Sequence, residues 1–406
     1  MMRRRRNNAK PNPGASTPSK NTAVKHCPII VVVLIALAAP ALSPASVDAS
    51  PLGFTDETFT VAVIPDTQIF SVFESWTDAN FVPMTQWVRD NQAAENIVFT
   101  THVGDVTQGE LTGFGALDDL IASHPQQFAN AERAMGIIGT PDTAIMPYSV
   151  TIGNHDYAVT GDKSSSTADF RQYYGPQRYA GFDWYGGSYS VTGDTDRSGI
   201  NHYQFFEGGG VEFLHLNIEH TPTSDVLDWA ESVIAAHPNN PVILSTHNYL
   251  NDPDEDSNGA GRTGAGEKIW QELVRSNPQV FMVLAGHEHN GEDGDDGEYR
   301  QTSVNDAGLE VFESLSNYQD YFTQGLLPDL ADGGEGWMRL MEFDLIDGTI
   351  DVETFFPAED RFQTDADSRF SLTADFEQRF FFIPEPGTAM LLSVATAAAL
   401  LRRHGT

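Results

Sequence analysis

The stretch VAVIPDTQIF, residues 61–70, holds the fold in miniature. Val61, Ala62, Val63 and Ile64 read as a buried strand, and Pro65 stops it ahead of Asp66-Thr67-Gln68. A carboxylate just past a strand end is either a turn cap or a ligand at the rim of a sheet, where α/β proteins keep their chemistry. Asp66 alone leaves both readings open. Its counterparts along the chain decide between them.

The pattern recurs. Apolar, β-rich runs stand at 59–64, 96–103, 147–152, 202–207, 211–218, 241–247, 279–287, 311–316, 337–344 and 349–356. Between them lie segments with apolar residues at helical spacing: 81–92 with Met84, Trp87 and Val88, 224–237 with Val226, Leu227, Trp229, Ala230 and Val233, and 266–274. Strands alternating with helices, then strands joined by the Asp347-Gly348 turn, read as layered α/β rather than all-β. No internal repeat or linker divides residues 50–383, which are read as one domain.

Five of the strands end alike. After the first comes Asp66, after 96–103 come Gly104-Asp105, and after 147–152 come Gly153-Asn154-His155-Asp156. The run at 241 leads into His247, and the run at 279 ends in Gly286-His287-Glu288-His289. His124, His202 and His237 fall in or near loops, and His102 and His215 within strands, so they read as structural. The strand-end residues read as one cluster. Carboxylate, imidazole and amide oxygen suit Mn, Fe, Zn or Ni. No thiolate is on offer, because the single cysteine, Cys27, precedes the domain. So many ligands exceed one ion's coordination number, which implies two divalent metal ions. Such a pair activates water and neutralises charge on a phosphoryl group.

Composition bounds the partners. The formal charge is −34, and Lys163 and Lys268 are the only lysines after residue 25. That field repels a phosphate backbone, so no stable nucleic-acid binding is expected. A dimetal cluster supplies the local positive charge that an anionic substrate needs. At the N-terminus, Arg3–Arg6, the apolar run 27–42 and the small residues to Ala49 read as a secretory signal over 1–49, with a membrane anchor as the rival reading. Residues 384–406 combine Pro384-Glu385-Pro386, an apolar run and Arg402-Arg403. This tail resembles the PEP-CTERM sorting signal, which implies membrane sorting machinery as a partner and an exported protein: extracellular, at the cell surface or periplasmic. The acidic loop at 251–266 matches half of a calcium loop through Asp254, Asp256, Asn258 and Gly259 but has Ala265 where the bidentate Glu belongs. A second acidic loop stands at 290–298. Solvated loop and calcium site both stand as readings.

Taken in order, DTQ, GDVTQ, GNHD, the lone His247 and GHEH resemble the five motifs of the calcineurin-like metallophosphoesterases. The resemblance spans Asp66 to His289, and NYQ (317–319) with 333–344 is similar to a bacterial secreted subgroup. It implies a four-layer αββα sandwich with a dimetal site at one edge. It further implies that Asp105 bridges both ions, that Asp66 and His289 bind one, and that Asn154, His247 and His287 bind the other. His155 is implied to protonate the leaving oxygen as general acid, with Asp156 orienting it and Asn154 within reach of substrate. Gln68 departs from the family's usual His. On an extended segment Gln68 and Asp66 share a face, so Gln68 either ligates the same ion or hydrogen-bonds to a ligand. Gln108 is a second departure.

The expected function is a secreted dimetal phosphoesterase that hydrolyses phosphate mono- or diesters by attack of a metal-activated water. The alternative is a surface-associated binding protein on the same fold with little or no turnover. Arg262, in the loop after His247, is the candidate for gripping a phosphate oxygen, or else a solvated loop residue. The aromatic residues of 171–190 either wall the cleft or pack an insertion on the sheet.

Overall fold

The computed structural model describes residues 54–55, 57–112, 121–253, 261–289, 297–319 and 336–381. Residues 1–49 and 384–406, read above as a leader and a sorting tail, the half calcium loop at Asp254–Gly259, most of the 290–298 loop and residues 333–335 of the closing motif lie outside them. Among the described residues no helix is long and apolar enough to cross a membrane.

Among the described residues, two seven-stranded sheets pack together. In the first, β1 (Phe59–Ile64), β2 (Ile97–His102) and β3 (Tyr148–Val150) run parallel. In the second, β4 (Tyr185–Ser188) and β5 (His202–Gly208) lead antiparallel into β6 (Val211–Ile218), and β7 (Val242–Asn248) and β8 (Val280–Gly286) continue from β6 in parallel. The edge hairpin β9 (Glu298–Val304) and β10 (Glu310–Ser316) completes it, β10 lying parallel to β8. The chain then returns to the first sheet as β11 (Met338–Asp344), β12 (Thr349–Phe356), β13 (Arg361–Phe362) and β14 (Arg369–Thr373), with β11 antiparallel to β1. The β11–β12 turn is the Asp-Gly turn expected. Gly348 takes φ +69°, and Asp344 Oδ1 accepts the N–H groups of Ile346 and Asp347 at 2.9 and 2.8 Å.

Strand alternation builds the layers. α1 (Glu74–Trp76) leads through a π-helical turn, Thr77–Phe81, into α2 (Val82–Asn91), and Ala62 and Ile64 of β1 face α2, α3 (His124–Ile138) and α4 (Ala168–Tyr174) in a core with Phe81, Met84, Val88, Phe128 and Met135. Phe59, Val61 and Val63 point the other way, toward Phe213, Ile243, Phe281 and Leu284 of the second sheet. On the far face of that sheet, Leu214, Leu216, Val242 and Leu244 meet α5 (Ser224–Ala236) and α6 (Gly264–Ile269), which a π-helical turn, Trp270–Val274, extends. The closing helix α7 (Phe376–Phe381) feeds Phe376 into the inter-sheet core. The result is helix, sheet, sheet, helix.

Aromatic rings hold the sheets together. Phe59 of β1 packs on Phe213 of β6 at 5.4 Å between ring centres, and Phe99 of β2 stacks on Phe206 of β5 at 4.7 Å. Each fully buried ring contributes about 1.5–3 kcal/mol, and truncation of Phe213 to Ala costs about 3–5 kcal/mol. The aromatic residues of 171–190 pack rather than wall a cleft. Tyr174 and Tyr179 are fully buried in the first helical core, and Tyr173, Trp184 and Tyr185 lie against it.

Candidate metal centre

Near one edge of the sandwich the apolar layer between the sheets gives way to polar contacts. Thr101 Oγ1 of β2 lies 3.1 Å from Ser245 Oγ of β7. One step further, His247 Nδ1 meets the Val103 carbonyl oxygen at 3.0 Å. The C-terminal ends of β2 and β7 therefore face each other, and the residues just past them converge. Gly104 makes the approach feasible. Its φ is +107°, and a Cβ there would sit 2.6 Å from His247 Nδ1.

Asp105 comes next with φ +52°, a left-handed conformation that a non-glycine residue adopts at a cost of about 1–3 kcal/mol. Its Oδ2 is 2.9 Å from His247 Nε2, and its Oδ1 accepts the His155 backbone N–H at 2.8 Å. His287, at φ +80°, brings Nδ1 to 3.2 Å from His247 Nε2. Ligand atoms of Asp105, His247 and His287 all lie within 4.8 Å of one another. The Val103 carbonyl takes the proton on His247 Nδ1 and so leaves Nε2 as the ligating atom. Burial lowers the pKa of His287 to about 3, with His247 adding to the effect, so its imidazole is neutral, as ligation requires. Burial also opposes ionisation of Asp105, but His247 beside it, with His155, outweighs it and holds the carboxyl below its usual range.

Asp66 is 2% exposed. Its Oδ1 accepts the Gln68 N–H at 3.2 Å, and its Oδ2 accepts Asn317 Nδ2 at 3.4 Å. The chain does not stay extended here, as the shared-face reading of Gln68 assumed. It turns at Thr67 into a 3₁₀ turn, Gln68–Ser71, because the Asp66 carboxylate captures the amide two residues on. Gln68 donates Nε2 to Gln319, and its Oε1 is buried without a partner. The Oδ1 of Asn154 is likewise buried and unpartnered. Two orphaned amide oxygens at these strand ends fit a divalent ion, which accepts such donors where no hydrogen is available.

Residues 59–291 match the family model for the calcineurin-like phosphoesterase. The chain belongs to the calcineurin-like phosphoesterase family. It is 30% identical over 332 residues to the uncharacterized protein YvnB of Bacillus subtilis (strain 168), across 79% of this chain and 22% of YvnB. The chain thus spans about a fifth of that relative's length. Among solved structures, the purple acid phosphatase PPD1 of yellow lupin (Lupinus luteus) seeds aligns at TM-score 0.47 and 11% identity, over 80% of this chain and 55% of that one. GAP50, the anchor in the inner membrane complex of Plasmodium, aligns at TM-score 0.40 and 10% identity, over 81% of this chain and 95% of that one.

In this calcineurin-like phosphoesterase His155 is half-buried, and its Nδ1 is 2.7 Å from the Gln108 carbonyl oxygen. That bond fixes the proton on Nδ1 and leaves Nε2 for proton transfer. Asp156 does not orient His155 as expected. Its Oδ1 accepts Thr107 N and Oγ1, each at 3.0 Å, and its Oδ2 accepts Gly153 N at 2.9 Å. It is a clamp on two turns, and burial, then the Asp105 charge, pushes its pKa up to about 7. His289 is half-buried two residues past His287, outside the three-residue group.

Arg262 is not brought to the cluster. Its guanidinium donates to Glu313 and Ser303 at 2.5 and 2.6 Å and stacks 3.8 Å above Trp270. Glu313 is buried in β10, and its charge holds the arginine there. His202 and His124, read as in or near loops, are the first residues of β5 and α3.

One residue at the centre escaped the sequence reading. His220, two past the end of β6, has its ring 5.1 Å from that of His287 and 5.8 Å from that of His247. The run VEFLHLNIEH carries the same signal as the other strand ends, an apolar strand with a ligand-type residue just past it.

Proposed function

We propose that this phosphoesterase is an exported enzyme that hydrolyses phosphate mono- or diesters with two divalent metal ions. The observation that carries the reading is the meeting of Asp105, His247 and His287 beside the orphaned oxygens of Gln68 and Asn154. Asp105 would bridge the ions. Asp66, Gln68 and His289 would hold one, and Asn154, His247 and His287 the other. When bound, the pair supplies an activated water and positive charge against the phosphoryl oxygens.

The chain's own residues do the rest. The Gln108 carbonyl steadies His155 so that Nε2 can carry a proton to the departing oxygen. His102 accepts the Gly104 N–H on Nδ1 at 3.0 Å and so donates Nε2–H to Thr67 Oγ1 at 2.9 Å, which locks the turn between Asp66 and Gln68. The leader and the sorting-type tail extend the proposal to secretion and to membrane machinery that processes the tail.

The test is hydrolysis of paired nitrophenyl phosphate mono- and diesters by the Mn²⁺-loaded protein and by its His155→Ala variant. Metal-dependent turnover that falls by roughly 10²- to 10⁴-fold in the variant supports the assignment. No turnover with any divalent ion in a folded protein refutes it.

A further inference from the structure

His220, His247 and His287 come from three neighbouring parallel strands, β6, β7 and β8, at the same end. Register pairs Ile218 of β6 with Thr246 of β7, so Glu219 and His220 sit level with His247 and Asn248. Yet His220 is not part of the group whose ligand atoms lie within 4.8 Å of one another. It borders the ligands without joining them. Its ring is half-buried, and the one hydrogen-bond contact of its side chain among the described residues is Nδ1 to Thr221 Oγ1 at 3.4 Å. In the tautomer in which the threonine hydroxyl donates to Nδ1, the proton sits on Nε2. The ring itself lies beside those of His287 and His247 and is left partly exposed.

The segment carrying His220 is held with unusual force for so acidic a protein. Glu219, whose side chain is 0% exposed, pairs with Arg197 at 2.5 Å and Lys163 at 3.4 Å and accepts the Tyr157 hydroxyl at 3.2 Å. Lys163 also donates to the Thr221 carbonyl, and Lys268 to the Pro222 carbonyl at 2.9 Å. These are the only lysines among the described residues, and both pin this one turn. Asp162 and Asp194 accept from Ser164 and Arg197 N in their own turns, and Asp196 accepts from Ser166, 30 residues away. Rigid placement of a hydrogen-bond donor beside a charged centre is what lets it act on an oxyanion without reorganisation.

We propose that His220 is a substrate-contacting residue whose Nε2–H donates to a non-bridging phosphoryl oxygen on the His247 and His287 side. The proposal rests on the phosphoesterase reading and adds to it a contact that belongs to the substrate rather than to a metal ion. The test is titration of inorganic phosphate into the full-length, Mn²⁺-loaded chain as wild type, His220→Ala and His220→Gln, with metal content measured on each. The expected result is unchanged metal content, a phosphate Kd about tenfold weaker in His220→Ala, and partial recovery in His220→Gln, whose amide can replace the donor. Equal phosphate affinity in all three, or loss of an ion in His220→Ala, overturns the proposal. A wild type that binds phosphate through His220 yet hydrolyses no ester supports the contact and refutes the hydrolytic reading alone.

Discussion

Gln68 and Gln319, 251 residues apart, share a side-chain hydrogen bond in which Gln68 Nε2 donates to Gln319 Oε1. The bond decides which way the Gln68 amide faces. With its nitrogen held by Gln319, its oxygen is left buried and unpartnered. Gln319 in turn donates its N–H to Asn317 Oδ1 at 3.2 Å, and Asn317 reaches Asp66. The end of β10 thus braces the Asp66 side of the centre. Gln319→Leu should weaken metal binding on the Asp66 side by roughly tenfold and leave binding on the His247 side alone, read by Mn²⁺ titration. Gln68→His, which supplies a stronger donor, should tighten binding on the Asp66 side.

Gly153 tests the packing beneath the cluster. A Cβ at this position would land on the Asp105 carboxylate and its backbone N–H. Gly153→Ala should therefore displace Asp105, lower bound metal, and destabilise the fold by about 1–3 kcal/mol. Metal content and the urea midpoint check both effects.

Arg262 is predicted to be structural. Arg262→Met leaves the Glu313 carboxylate buried without its partner and should cost about 3–5 kcal/mol in urea unfolding. Phosphate affinity of the folded fraction should stay at the wild-type value. A selective loss of phosphate binding would return Arg262 to the site.

Acid sensitivity should come partly from His202. Its ring is buried, with Nε2 to the Val150 carbonyl at 3.3 Å and Nδ1 to Gln204 Nε2 at 2.6 Å. Burial lowers its pKa to about 4, against about 6.5 when unfolded. Between those values the unfolded chain binds a proton that the folded chain refuses. The stability is therefore complete above about pH 6.5 and falls by about 3 kcal/mol as pH drops to about 4. His202→Gln should flatten that part of the stability–pH curve, measured by urea midpoints at pH 7 and pH 5.

Much of this was legible in the chain because burial leaves a mark on both sides of a strand. β1, β6 and β12 begin and end where their apolar runs do. Helix α3 was not, because its buried face includes Gln127, Asn130, Ala131 and Ala134, which carry little hydrophobic contrast. The edge strand β9, EYRQTSV, is half-exposed and polar for a related reason. At the site, the ligand types after strands were visible, but the partner of His155 is a backbone carbonyl, which no sequence displays. Arg262 misled because nothing in VFESLS tells that Glu313 is buried and needs a cation.

The central claim is that the strand ends build a two-ion centre bridged by Asp105. Elemental analysis of protein equilibrated with Mn²⁺ and then freed of excess metal tests it most directly. Two ions per chain in the wild type, with at least one lost in Asp105→Asn, is the predicted result. A wild type that retains fewer than two, or an Asp105→Asn variant that retains both as tightly, would contradict it.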